Sequence, residues 1–201
     1  MFKSKFMKAV FIIVGILLVA FIVVQLYFAR AQKGIETYSY TVEKVFPTFE
    51  IRLYEPTLFS SVKLGADTYK SASSKGFSIL AGYIFGGNEK QEKIAMTAPV
   101  SMSLEDSITM MFMVPKSYKK DELPEPNQRQ IEFIEMPAKR MAAIRFSGWA
   151  NDEKIEKYKQ KLIKALEKEG VNYTNKFYFF GYNAPFEVVN RRNEVVIELE
   201  G

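Results

Sequence analysis

Three acid pairs, Asp121/Glu122, Asp152/Glu153 and Glu198/Glu200, are the first residues in this sequence to test for proton-transfer chemistry. Two carboxylates do general acid–base work when burial drives their pKa values apart, so that one keeps a proton the other has lost. These pairs fall in a polar loop, at the start of a helical pattern and at the chain end, positions that read as solvated. Their usual companions are also missing, because the sequence has no His and no Cys. It therefore cannot build a Ser-His-Asp or Cys-His nucleophile, a typical zinc-ligand set or a thioether attachment for a cofactor. Gly86-Gly87 follows a helical pattern instead of opening one, so it is no phosphate-cradling loop. The expectation is a binding protein and not an enzyme, with no catalytic and no metal-ligating residues.

The elements that must position a binding site start after a distinct N-terminus. Residues 1–34 contain Lys3, Lys5, Lys8, Arg30 and Lys33 and no acid, so the formal charge of +5 belongs to them and leaves 35–201 neutral. A nucleic-acid binder keeps its basic charge on the folded part, and no nucleic-acid partner is expected. Ala9 to Phe28 is an apolar run close to the length that crosses about 30 Å of hydrocarbon as a helix. Three lysines precede it, which orients 1–8 toward the cytoplasm and the rest outside. Ala29-Arg30-Ala31 resembles a signal-cleavage site, but the apolar run exceeds the usual signal core, and the length favours an uncleaved anchor. The organisation expected is a cytoplasmic N-terminus at 1–8, a transmembrane anchor or signal at 9–28, a linker at 29–35 and one domain at 36–201, outside the cytoplasm. With no Cys, that domain must be held by an ordinary core.

Within the domain the pattern repeats. Strands are expected near Tyr38–Lys44 and Thr48–Tyr54, then, after a turn at Glu55-Pro56, a third with Leu58, Ser60, Val62 and Leu64 on one face. A helix from about Asp67 places Ala72, Gly76, Phe77, Leu80, Ala81 and Ile84 at helical spacing and stops at Gly86-Gly87. A strand then alternates through Ile94, Met96, Ala98 and Val100. The second half repeats this with strands from Ile131 through Phe146 around a turn at Met136-Pro137. Its helix opens at Asn151, buries Ile155, Tyr158, Leu162 and Leu166, and closes at Gly170. Lys116–Gln130 is polar and reads as a solvated crossover. The fold class expected is α+β: two pseudo-duplicated strand-strand-helix-strand units, with an antiparallel sheet covered by two helices, preceded by the N-terminal transmembrane helix.

Five segments resemble a known family. K-I-A-M-T-A-P-V (Lys93–Val100) looks like the signature of the SOUL/haem-binding-protein family, F-E-I-R-L-Y-E-P (Phe49–Pro56) its first core strand, and F-S-I-L-A-G-Y-I-F-G-G-N (Phe77–Asn88) its first helix and turn. F-Y-F-F-G-Y-N-A-P-F (Phe177–Phe186) and N-R-R-N-E-V (Asn190–Val195) resemble its closing strands and their connection. The resemblance implies a partner, haem or a related porphyrin, bound non-covalently in a shallow apolar groove against the first helix, near Asn183-Ala184-Pro185-Phe186. It places Phe77, Leu80, Ile84 and Phe186 against the ring. Relatives that ligate iron through histidine carry it at the position held here by Leu53, which cannot coordinate a metal. Binding would then rest on the macrocycle, with Arg191 and Arg192 as partners for propionates. The same architecture resembles bacterial effector-binding domains that accept drugs and dyes. Another flat amphipathic ligand, or a membrane-tethered interaction module with no small ligand, are therefore the competing readings.

Overall fold

The opening apolar run forms helix α1 (Phe2–Ala31) in the computed structural model, which describes residues 2–31, 34–65, 68–105, 107–184, 187–188 and 190–200. The helix starts before the expected segment 9–28 and continues through 29–31 of the expected linker. Apolar side chains such as Phe11, Ile16 and Leu17 are exposed along it. Among the described residues no helix is long and apolar enough to cross a membrane. The helix is present, and the membrane-spanning part of the expectation is without support there. Residues 1–35 and 184–189 form one unit, and 36–183 with 190–201 form a second.

In the second unit the chain runs β1 (Glu36–Thr37), β2 (Tyr40–Val45), β3 (Glu50–Tyr54), β4 (Thr57–Lys63), α2 (Tyr69–Ile84), β5 (Thr97–Ala98), β6 (Val100–Ser103) and β7 (Thr109–Met113). It continues with β8 (Ile131–Met136), β9 (Lys139–Phe146), α3 (Asp152–Lys168), β10 (Tyr173–Gly181) and β11 (Asn193–Leu199). Nine strands make an antiparallel sheet in the order β2-β3-β9-β11-β10-β6-β7-β4-β8, while β1 pairs in parallel with β5. The expected duplication is written in that order. Matching β3, β4, β6 and β7 with β8, β9, β10 and β11 makes the sheet read the same from either end, apart from the added edge β2. The seam falls between β6 and β10, where Ser101 lies opposite Phe180.

Pro56 and Pro137 occupy equivalent junctions, but these are not hairpin turns. β3 pairs with β9 and β8 pairs with β4, so each half lends its first strand to the other. A proline has no N–H for a hairpin ladder and keeps the preceding residue extended, which carries the chain onward across the sheet. Pro99 has a related effect, dividing the strand expected over 94–100 into β5 and β6. Strand β7 had no counterpart in the sequence reading, and the crossover is not wholly solvated, because Leu123 is buried and Pro124 O accepts a bond from the Tyr83 hydroxyl at 2.9 Å.

The helices start and stop on local chemistry. Asn151 caps α3 by accepting from Lys154 N at 2.8 Å, and Thr68 caps α2 by accepting from Ser71 N at 3.3 Å; caps of this kind satisfy otherwise orphaned amides. The start expected at Asp67 lies outside the described residues. At the other end of α2, Gly86 has φ +108°, and a Cβ on Gly87 would sit 2.6 Å from Gly82 O, so both positions require glycine. Buried Asn88 then fastens the loop: its Nδ2 donates to Tyr83 O and Glu92 O, and its Oδ1 accepts from Glu92 N. Both helices lie on one face of the sheet. Their stripes, Ala72, Gly76, Leu80 and Ile84 on α2 and Ile155, Leu162 and Leu166 on α3, join Val62, Phe112, Ile144, Phe179 and Ile197 in one core. The other face carries a second cluster, with Tyr38, Tyr54, Phe59, Met111, Met141, Tyr178 and Phe180.

Candidate functional site

Helix α2 uses its apolar stripe to cover the sheet. Leu80 and Ile84 are therefore core residues, fully enclosed or nearly so, and do not line an open groove. This corrects the expectation that both face a ligand. Phe77 packs half-buried at the margin, its ring centroid 5.4 Å from Phe112. The outer side of α2 presents Lys70, Ser74, Lys75 and Ser78.

Leu53 is 41% exposed on β3, on the same side of its strand as Ile51. In the sheet, β9, β11, β10 and β6 stand between β3 and the strands β7 and β4 on which α2 packs. The structure thus does not bring Leu53 together with Phe77, Leu80 and Ile84. Phe186 lies outside the described residues.

The two arginines go to different places. Arg192 Nε and Nη2 donate to Glu194 Oε1 at 3.0 and 2.8 Å, Nη2 also reaches Tyr40 Oη at 3.1 Å, and the guanidinium stacks 3.9 Å over the Tyr182 ring. It belongs to a network on the face of the sheet away from the helices. There Glu194, 0% exposed, also receives Arg52 Nη1 at 2.9 Å, Arg52 Nη2 at 3.3 Å and the Tyr182 hydroxyl at 3.0 Å. Burial pushes the Glu194 carboxyl up, but the bonds and charge of Arg52 and the charge of Arg192 outweigh it and hold it below its ordinary value. Arg52 also donates to Tyr54 and Glu50, so this carboxylate and its two guanidiniums are matched internally. Burying such charges is tolerable only when they are paired in this way.

Arg191 instead lies with its guanidinium 4.0 Å over the ring of Trp149, a side chain that is 54% exposed. Trp149 follows β9 and Arg191 precedes β11. The start of α2 is nearby: Asp152 accepts from Tyr69 N at 2.5 Å, and the Tyr69 ring lies 5.1 Å from Phe179. Burial raises the Tyr69 phenol while the Arg191 charge pulls it the other way. An exposed indole, a stacked guanidinium and a half-buried phenol can together hold a flat ring bearing an acid. Sequence reasoning singled out Arg191 but not Trp149 as its platform, and the sole signal was that the chain has one Trp. It also missed Arg52 and Glu194, whose pairing spans 142 residues.

Two cavities accompany these features. An open cleft of about 310 Å³ beside the end of α3 is walled by Glu167, Gly170, Val171, Asn172, Tyr173 and Glu200. A small, largely apolar space of about 10 Å³ is lined by Tyr38, Phe59, Tyr178 and Phe180 on the face away from the helices.

Residues 35–198 match the family model of the SOUL heme-binding protein. Heme-binding protein 2 of Mus musculus is 34% identical over 158 residues, covering 74% of this chain and 76% of the mouse protein. Heme-binding protein 1 of Xenopus laevis is 27% identical over 162 residues, covering 76% and 84%. Among solved structures, the EcmrR C-terminal domain superposes with a TM-score of 0.61 at 12% identity, over 80% of this chain and 98% of that one, a likeness of fold alone. Five ordered sequence segments, the duplicated sheet and the match over nearly all of the second unit agree that this chain belongs to the SOUL heme-binding protein family.

Proposed function

We propose that the chain is a membrane-tethered protein that binds haem or a related tetrapyrrole reversibly, through the macrocycle and without histidine ligation. The names of its relatives support the ligand class and a binding role in place of a catalytic one. The observation that carries the binding mode is the donor set. With no His and no Cys in the sequence and Leu53 at the strand position, the residues present do not fit imidazole or thiolate coordination of iron. They do fit contact with the ring. Trp149 offers an exposed aromatic face, and Arg191, stacked on it, supplies a guanidinium for a propionate, with the Tyr69 phenol within reach of its charge. Phe77 stays half-buried at the margin of α2, against Phe112.

Tethering rests on the 30-residue helix α1, its exposed apolar side chains and the lysines at its start. We place 1–8 in the cytoplasm and the folded domain outside. Protease added to sealed vesicles of known sidedness should remove the domain only from the outer face, and protection there contradicts the orientation. For the ligand, haem titrated into the full chain in detergent should quench Trp149 emission to saturation, with the micelle alone as blank. Quenching that never saturates removes the haem reading and leaves another flat amphipathic ligand, to be sought with apolar dyes.

A further inference from the structure

Helix α3 carries its lysines in register. Lys154, Lys157, Lys161, Lys164 and Lys168 recur at three- and four-residue spacing, which at about 100° per residue keeps them within about 80° of the helix circumference. That flank is turned away from the buried Ile155, Leu162 and Leu166, and four of the five lysines are exposed. The acids Glu153, Glu156 and Glu167 lie on the neighbouring flank, where Glu156 accepts from Gln160 Nε2 at 2.8 Å. Among the described residues no carboxylate comes within ion-pair distance of any of the five lysines. Lys154 is engaged by the backbone, its Nζ donating to Ser147 O at 2.7 Å, which leaves the other four facing solvent.

Like charges three or four residues apart stand about 5–6 Å apart at Cβ, well inside the screening length of about 10 Å at 0.1 M salt, and each such pair weakens a helix. The stripe has four such pairs in succession. Between Lys154 and Lys168 six lysines meet only two acids, Glu156 and Glu167, in a domain whose formal charge is zero. Positive charge collected along about 21 Å of one helix flank is complementary to an extended anionic surface and not to one small anion.

Helix α1, with its exposed apolar side chains, ends at Ala31, and β1 begins at Glu36. At most about 18 Å of extended chain joins them, which keeps a bilayer that holds α1 within reach of the domain. We infer that Lys157, Lys161, Lys164 and Lys168 dock α3 on the anionic lipid headgroups of that bilayer. The apolar stripe of α3 stays in the core, so the contact is electrostatic and inserts no side chain. It rests on the tethering proposed above and is independent of the ligand and of the sidedness.

The test reconstitutes the full chain into nanodiscs of phosphatidylcholine, or of phosphatidylcholine and phosphatidylglycerol in equal parts, and follows amine labelling of each lysine by mass spectrometry. Lys157, Lys161, Lys164 and Lys168 should label at least about fivefold more slowly in the anionic discs, the weight of a single lysine near such a surface. Lys90 and Lys120, on other elements, should be unchanged. Raising the salt should remove the difference, because exposed charges are screened. Lys161→Glu combined with Lys164→Glu should abolish the protection of Lys157 and Lys168 without lowering the denaturant midpoint, since it relieves like-charge pairs. Equal labelling in the two discs overturns the inference and leaves the tether standing, and protection that survives the salt or the double substitution overturns it as well. Slow labelling in both discs that is lost on dilution assigns the stripe to a second copy, again against the lipid. Failure of the chain to enter phosphatidylcholine discs removes the tether and the inference with it.

Discussion

The two faces of the nine-stranded sheet are both buried, yet they are built from different chemistry. The face under α2 and α3 is aliphatic and aromatic, closed by helix stripes such as Ile155, Leu162 and Leu166. The face away from them has tyrosines, methionines and an ion network centred on Glu194. The first is stabilised mainly by area removed from water, about 25 cal/mol per Å². The second depends on its buried charges finding partners, because an unmatched charge there costs far more than a missing methyl. Damage to the helix side should therefore scale with volume, and damage to the other side with charge.

The largest expected effect comes from the charged side. Glu194→Ala leaves buried Arg52 and part-buried Arg192 without their shared carboxylate and should cost about 3–5 kcal/mol, measured by denaturant unfolding. Leu162→Ala on the helix side, at a fully buried position, should cost about 2–5 kcal/mol. If Glu194→Ala proves much milder than Leu162→Ala, the contrast between the faces is wrong.

Acid sharpens the comparison. The folded pKa of Glu194 is depressed, so its contribution is complete above the ordinary glutamate value of about 4.3 and is lost as pH falls through the folded value. Glu194→Gln should flatten the acid limb of the stability profile, and Leu162→Ala should shift it without changing its shape. Acid limbs of equal steepness with and without Glu194 would contradict the assignment.

Smaller effects belong to the surface. Trp149→Ala should weaken porphyrin binding by about 3–10-fold, the value of an aromatic contact, while changing stability by no more than about 0.5 kcal/mol. Lys120→Ala in the crossover should stay within the same 0.5 kcal/mol or so. Leu53→His should leave the Soret band unmoved, because Leu53 pairs with Arg140 near the start of β9 whereas Trp149 follows its end.

The same contrast explains what the sequence could reveal. Both helices were legible because caps, glycine stops and a single apolar stripe leave a local mark at 3.6-residue spacing. The duplication was legible from two proline junctions followed by two helices. The exchange of first strands between halves was not, because a strand buried on both faces does not name its neighbour. Met110 to Met113 alternate between the two clusters with similar side chains on each, so β7 gave no alternation to read. Arg191 and Arg192 are adjacent and chemically alike, yet one stacks on Trp149 and the other is committed to Glu194. The turn before β11 sends them to different partners, and nothing in the local pattern forecasts which. Leu80 and Ile84 were placed correctly on one helix face, and the error lay in giving that face to a ligand when the sheet already occupied it.

The central claim is that the macrocycle, and not iron, carries the affinity. It is tested most directly by titrating haem and iron-free protoporphyrin into the same preparation of the full chain and comparing their dissociation constants through Trp149 quenching. The account predicts saturable binding of both, with constants within about threefold of each other, a difference of less than about 1 kcal/mol. Saturable binding of haem alone, with the iron-free ring excluded, would contradict it and require a protein ligand to iron.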